Sequence, residues 1–392
     1  MQTFSCSCGN RLFFENSVCM RCQSETGFLP DRLLLVPIKP SDDRRWVSDL
    51  MPKRYYRKCA NYTTRQVCNW MVPVEEDEEY CVSCRLNKII PDLSQPGNQK
   101  RWFRMERAKR RTLYNLLRIG LSLVDRKTDP DNGLEFRFME DIKKYDPYSQ
   151  ELVTYQQIMT GHQTGTITIN IREADHSHRE AMRETMKEPY RTTLGHIRHE
   201  TGHYFWDRLV DDSEHLEPFR KLFGDERHDY QQSLQQYYQQ GPQRYWQDNF
   251  ISAYASAHPW EDWAETWAHY LHITDTMETA YDFGFAIEGR KINLPLPLRS
   301  GALLKARDLF KGVSFDAMLT DWLRLTIVMN SLNRSMGLRD AYPFAVTRGV
   351  SNKLRFVHQV VAAEVARQKK KTKAKISIPG LAADPVYTDK PG

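Results

Sequence analysis

The 392-residue chain has no cysteine after Cys84 and no histidine before His162. The residues best able to ligate metals are therefore divided between two regions, and two kinds of site are expected. No uninterrupted apolar run approaches the roughly 18 residues of a membrane-spanning helix, so no membrane partner is expected. The opening MQTFSCSCGNRLFF lacks the basic, apolar and small-residue segments of a secretion leader, which predicts a cytoplasmic location and argues against disulfides. Net charge is also scarce outside one stretch. The total is +6, and RQKKKTKAK (367–375) carries six basic residues without an acid. The remainder is neutral overall, so a global field that attracts nucleic acid is not supported. A content of 40% hydrophobic and 27% charged residues excludes a disordered chain, and the length suits two or three domains.

The eight cysteines form two quartets. Cys6-x-Cys8 is followed by Cys19-x-x-Cys22, and Cys59 and Cys68 by Cys81-x-x-Cys84. A close pair on a tight turn offers two thiolates to one metal, and two pairs complete a tetrahedron around zinc. The metal keeps the thiols deprotonated at neutral pH. The second quartet is the looser, because Cys59 and Cys68 are nine apart. A redox Cys-x-x-Cys would not account for two full sets. Two structural zinc ions are expected, supplying folding free energy to a region too small to bury a core alone.

Residues 1–92 read as this ribbon region, with LLLVPI (33–38) as a strand and IIPDLSQPGNQ (89–99) as a linker. The rest is predicted to be mainly helical, giving an α+β chain. A helix over 100–123 places Trp102, Met105, Leu113, Leu116, Leu117 and Leu121 on one stripe. Its arginines and lysines suit a solvated face, or contact with phosphate. GTITINIRE (165–173) alternates as a strand. Helices are expected from His176, over 191–209, over 225–246 as far as Gly241-Pro242, over 259–274, and at 315–335 and 350–368. In the polar 225–246 segment, Tyr230, Leu234, Tyr237 and Tyr238 keep helical spacing. The second domain spans 100–360, and a basic tail, 367–392, is expected to be mobile.

HIRHETGHYFWDRL (196–209) holds the H-E-x-x-H arrangement. Residues four apart share a helix face, so His199 and His203 can bind one zinc while Glu200 reaches a water there as general base. Gly202 costs helix stability unless something packs closely against it. Asp207, one turn after His203, could steady the ligands, and His196 precedes the motif by one turn. WEDWAETWAHY supplies Glu261 and Glu265, again four apart, on a helix that Trp260, Trp263 and Trp267 mark as buried. Buried carboxylates need partners. A zinc with its histidines would serve, one glutamate as third ligand and the other accepting a hydrogen bond from a ligand histidine; an ordinary salt-bridge network is the alternative. Tyr254, with His258 and Tyr204 as weaker candidates, could steady an oxyanion.

These pieces, with CNWMVP, CVSCRLNKIIPDL, FGDERHDY and LNRSMGLRDAYPF, resemble a family of bacterial zinc-binding metallopeptidases that carry an N-terminal zinc ribbon, a family whose activity is itself inferred from its motif. More distantly, the catalytic part is similar to gluzincins of the anthrax lethal-factor type, which pair H-E-x-G-H with a later E-x-x-A-E preceded by a tyrosine. The resemblance implies a zincin-like metallopeptidase domain that hydrolyses peptide bonds. It implies Glu261 as the third ligand of one catalytic zinc, Glu265 in the outer shell and Tyr254 at the oxyanion. The strand at 165–173 would be the edge strand that holds an extended peptide. No role for His196 or Arg198 follows from the gluzincin pattern, and residues 335–344 suit either a substrate groove or helix packing. Two rival readings stand beside this one. The first is a nucleic-acid-directed protease or binding module that uses the ribbons. The second is a non-catalytic, zinc-stabilised interaction protein.

Overall fold

The computed structural model describes residues 1–42, 44–146, 148–149, 152–185, 190–285 and 314–376. The ribbon region is built from short strands between cysteine turns. β1 (Phe4–Ser5) pairs with β2 (Arg11–Leu12), and β3 (Thr26–Leu29) with β4 (Leu34–Pro37). β5 (Lys39–Pro40), β6 (Trp46–Ser48), β7 (Met51–Lys58) and β8 (Met71–Pro73) form an antiparallel sheet, with a single helical turn, α1 (Ala60–Thr63), after β7. Too few residues separate the metal turns for larger elements, so aromatic side chains fill the interior. Phe14, Phe28 and Trp70 pack at ring separations of 4.7 to 6.2 Å. Tyr114 closes this group, 5.1 Å from Phe14 and 5.9 Å from Phe28. It comes from α2 (Asn98–Arg118), so the ribbon core continues into the helical region as one buried cluster.

The second region is built around a small sheet in the order β13-β14-β10-β9. β9 (Asn87–Ile89), β10 (Glu135–Met139) and β14 (Thr166–Asn170) run parallel, and β13 (Gly161–Gln163) is antiparallel to β14. A hairpin of β11 (Ile142–Tyr145) and β12 (Leu152–Gln156) separates β10 from β13. The strand expected at 165–173 is thus Thr166–Asn170, it passes into a 3-10 turn at Ile171–Ala174, and it lies inside the sheet. The edge strands of this sheet are β13 and β9. Alternating β-branched residues mark a strand buried on both flanks as readily as an edge.

Six helices follow among the described residues: α3 (His176–Thr185), α4 (Thr193–Leu209), α5 (Leu216–Phe223), α6 (Tyr230–Gln240), α7 (Pro259–Asp282) and α8 (Phe315–Ser335); α9 (Arg348–Ile376) ends the described chain. Their starts have local causes. Thr192 accepts from Gly195 N at 3.0 Å, Asp229 from Gln232 N at 2.8 Å and Ser314 from Ala317 N at 3.2 Å, each satisfying an orphan amide. His258 does the same for α7, where Pro259 takes the first position.

Most of the basic residues of helix α2 are paired or buried, Lys100 and Arg107 being exposed. Lys109 and Arg110 are buried; Lys109 bonds Glu106 at 3.0 Å, and Arg110 donates to the carbonyl of Val67. Arg101 pairs with Asp175, Arg104 with the carbonyl of Ala174, Arg111 with Glu15 and Arg118 with Glu278. The basic segment expected to be mobile from residue 367 continues α9 as far as Ile376; residues 377–392 lie outside the described chain.

Candidate metal centre

The site begins with the close approach of α4 and α7. A β-carbon on Gly202 would stand 2.9 Å from Ala264 Cα and 3.2 Å from its carbonyl oxygen. The indole N–H of Trp263 donates to the carbonyl of Gly202 at 2.8 Å. The glycine that weakens the helix is what lets the two backbones meet, with Ala264 opposite it, and that contact sets the distance between the two histidines on α4 and the two glutamates on α7.

His199, His203 and Glu261 are all buried and each turns one ligating atom to a common point. His199 Nε2 lies 3.2 Å from His203 Nε2 and 3.0 Å from Glu261 Oε2, and His203 Nε2 lies 3.6 Å from Glu261 Oε1. Ligands about 2.0–2.1 Å from a tetrahedral zinc stand roughly 3.3 Å apart, so the spacing fits. His199 Nδ1 donates to Glu265 Oε1 at 2.7 Å, which leaves Nε2 with its lone pair. Ser252 holds the other oxygen of Glu265 at 2.6 Å. Glu261 Oε2 is buried with no hydrogen-bond partner among the described residues, a costly arrangement that a cation relieves. The electrostatics agree. Burial disfavours charge on His199, yet the bonds and charges of Glu261 and Glu265 outweigh it and raise its pKa well above the usual value. Burial would raise the pKa of both glutamates, but their histidine neighbours bring each down to about 2. Positive charge belongs between these groups.

Glu200 is buried beside this cluster. Burial would raise its pKa, but the hydrogen bond from His196 and the neighbouring histidines lower it. His196 Nε2 is 3.3 Å from Glu200 Oε1, and Nδ1 hydrogen-bonds Glu173 Oε2. The ring of Tyr254 lies 6.0 Å from that of His199. Its hydroxyl pKa is raised well above the usual value by burial and by the charge of Glu261. His203 packs against Trp260 with ring centroids 3.9 Å apart.

Three residues that the sequence did not single out as site residues are here. The hydroxyl of Tyr230 donates to Glu261 Oε1 at 2.6 Å and so fills the carboxylate oxygen that Glu261 Oε2 leaves. Helical spacing placed Tyr230 on the inner face of α6, but not over this glutamate. Glu173 enters through His196. His162, on the edge strand β13, lies 6.4 Å from His203 ring to ring, and burial and the charge of His203 lower its pKa to about 4. Neither Glu173 nor His162 has a spacing relation to the motif that could have revealed it.

Other candidates are placed elsewhere. Asp207 makes no hydrogen bond to a ligand histidine; it stands 3.9 Å from His162 Nδ1, and His203 Nδ1 is without a partner among the described residues. The turn of α4 after His203 carries Asp207 past the ligands toward the sheet. His258 is the α7 cap, donating to the carbonyl of His228 and accepting from Trp260 N, each at 3.1 Å. Tyr204 turns its hydroxyl to the carbonyl of Val124 at 3.4 Å. In the 335–344 segment, Tyr342 bonds His269 of α7 at 2.7 Å and packs on Trp322 of α8, which is helix packing.

Both cysteine quartets gather their sulfurs within metal-binding range. Cys6 and Cys22 Sγ are 3.6 Å apart, as Cys8 and Cys19, and Cys68 and Cys81, are 3.7 Å apart. A disulfide requires about 2.05 Å, whereas four sulfurs about 2.3 Å from a zinc stand roughly 3.8 Å apart. In the second quartet all four cysteines are buried. The guanidinium of Arg110 lies close enough to feel the charge of Cys68, Cys84 and Cys81, which suits a zinc whose four thiolates leave it doubly negative.

A zinc-ribbon region joined to an α+β domain with a buried histidine–glutamate metal site defines a class of zinc-binding protein. Residues 98–360 match the family described as "Putative zinc-binding metallo-peptidase", and residues 3–95 match a zinc-ribbon domain. Proteins of Mycobacterium bovis and of two strains of Mycobacterium tuberculosis, each named as uncharacterised, are 39% identical over 363 residues, 92% of this chain and 95% of theirs. No solved structure matches the chain. The chain belongs to this zinc-binding metallopeptidase family. No helix among the described residues is long and apolar enough to cross a membrane.

Proposed function

We propose that the protein is a zinc-dependent peptidase of the gluzincin type, with one zinc held by His199, His203 and Glu261 and two structural zincs in the cysteine quartets. The observation that carries this is the convergence of His199, His203 and Glu261, whose Oε2 lacks a partner among the described residues, with Glu200 Oε2 unpartnered beside them. Bound zinc would polarise a peptide carbonyl and make water more acidic. Glu200 Oε2 accepts the proton of the attacking water and returns it to the departing amine. The Tyr254 hydroxyl, kept protonated by burial, donates to the developing oxyanion. Glu265 keeps the Nε2 lone pair of His199 directed at the metal. A peptide or protein substrate would add as an extended strand to β13, the antiparallel sheet edge. Eight free cysteines fit a cytoplasmic location.

The test is Glu200→Gln. It should retain the zinc of the histidine site and lose hydrolysis across a broad peptide library that the native chain cleaves. Undiminished cleavage would remove the mechanism.

A further inference from the structure

Glu200 is a long side chain with a demanding task, and the structure holds it on one side only. Its Oε1 faces His196 Nε2 at 3.3 Å, while Oε2 has no partner among the described residues. His196 stands one turn earlier on α4, and its other ring nitrogen bonds Glu173 Oε2. Glu173 sits in the 3-10 turn after β14. Its remaining oxygen accepts from Thr160 Oγ1 at 2.5 Å, and that same hydroxyl oxygen accepts from Asn170 N at 3.0 Å. The side chains of Glu173 and Glu200 are 10% and 5% exposed, so each carboxylate needs donors from the protein. One imidazole serves both. With an acceptor oxygen at each ring nitrogen, both nitrogens carry hydrogen.

We infer that Glu173 and His196 are positioning residues that fix the carboxylate of Glu200, an inference that rests on reading Glu200 as the general base. A general base must lie within hydrogen-bond reach of the proton it takes, and small misplacements of a reacting group cost rate steeply. His196 pins one oxygen of Glu200 and leaves the other for the reacting water. Glu173 keeps the ring from turning. Thr160 immediately precedes β13, so Thr160, Glu173, His196 and Glu200 form a continuous link from the sheet edge to the base. The contacts of His196 leave Glu200 Oε2 without a partner among the described residues.

The zinc-loaded full chain tests this in two ways. By NMR with ring-15N histidine, His196 should show two hydrogen-bonded ring N–H signals, one displaced in Glu200→Gln and the other in Glu173→Gln. A single ring N–H, or signals indifferent to both substitutions, overturns the inference. On a peptide that the native chain cleaves, His196→Ala should lower kcat about 10- to 100-fold, with KM and zinc content retained. His196→Gln, which keeps one N–H toward Glu200, should recover part of that loss. Full kcat in His196→Ala, or loss of zinc in both variants, overturns it. If the native chain cleaves no peptide, the peptidase reading falls, while the NMR arm still decides whether the buttress exists.

Discussion

Gly202 of α4 and Ala264 of α7 meet so closely that a β-carbon on the glycine would lie 2.9 Å from the alanine Cα. The metal-site geometry follows from this contact. Gly202→Ala gains about 1 kcal/mol of helix propensity, but overpacking at such a site costs roughly 1–3 kcal/mol. The variant should melt lower and hold the histidine-site zinc more weakly. Because the clash is with backbone atoms, Ala264→Gly should not rescue it. Thermal melts and metal analysis of the single and double variants check both points.

The Glu265–His199 bond makes a separate prediction. Without Glu265, His199 Nδ1–H has no acceptor and the ring can turn or change tautomer. Glu265→Ala should weaken zinc at the histidine site about 10- to 100-fold, and Ser252→Ala should weaken it less, because Ser252 acts only through Glu265. Competition with a chelator measures the difference.

The ligand helices were legible in the sequence because their information is periodic: His199 with His203, and Glu261 with Glu265, declare a shared face. Tyr254 was a candidate by its place seven residues before Glu261, a spacing that says little alone, and family likeness supplied its role. Glu173, His162 and Tyr230 were not assigned to the site, because tertiary folding brings them there from a 3-10 turn, a three-residue strand and a polar helix. The edge strand was misplaced for a related reason: Gly161, His162 and Gln163 carry no β-branched residue to mark them. The basic run of α2 could not reveal that acids as distant in sequence as Glu15, Asp175 and Glu278 would meet it.

The cysteine quartets differ in burial, and their variants should differ likewise. Intact protein should hold three zincs per chain, and loss of either quartet should leave two. Cys68→Ser, in the fully buried set beside Arg110, should lower the melting temperature more than Cys22→Ser, whose residue is exposed. Metal binding supplies folding free energy, and the second quartet spends it next to α2. Metal stoichiometry and melts on the two variants provide the comparison.

Asp207 gives a pH prediction. Its side chain is 38% exposed, and partial desolvation, with the nearby charge of Asp211, raises its pKa to about 6 from an ordinary value of 3.8; solvent screening keeps the associated stability change small. The folded state therefore binds this proton more tightly than the unfolded state. The associated stabilisation is complete below the unfolded pKa and is lost as pH rises through about 6. Asn resembles the protonated acid, so Asp207→Asn should stabilise the protein at pH above 7 and make little difference below about pH 4. Equal melting temperatures of the two proteins across that range would refute the assignment.

The two tyrosines beside Glu261 should separate metal holding from chemistry. The hydroxyl of Tyr230 donates to the ligand carboxylate, so Tyr230→Phe leaves a buried oxygen without its donor, at a cost of about 1–3 kcal/mol. That cost should appear as weaker zinc binding. Tyr254 bonds the hydroxyl of Tyr230 and not a ligand atom, and its proposed oxyanion partner exists only as the peptide reacts. Tyr254→Phe should keep zinc affinity and lower kcat roughly 100-fold, as removal of an oxyanion donor does. Chelator competition and steady-state kinetics on both variants distinguish the roles. If zinc affinity falls in Tyr254→Phe and not in Tyr230→Phe, the two assignments must be exchanged.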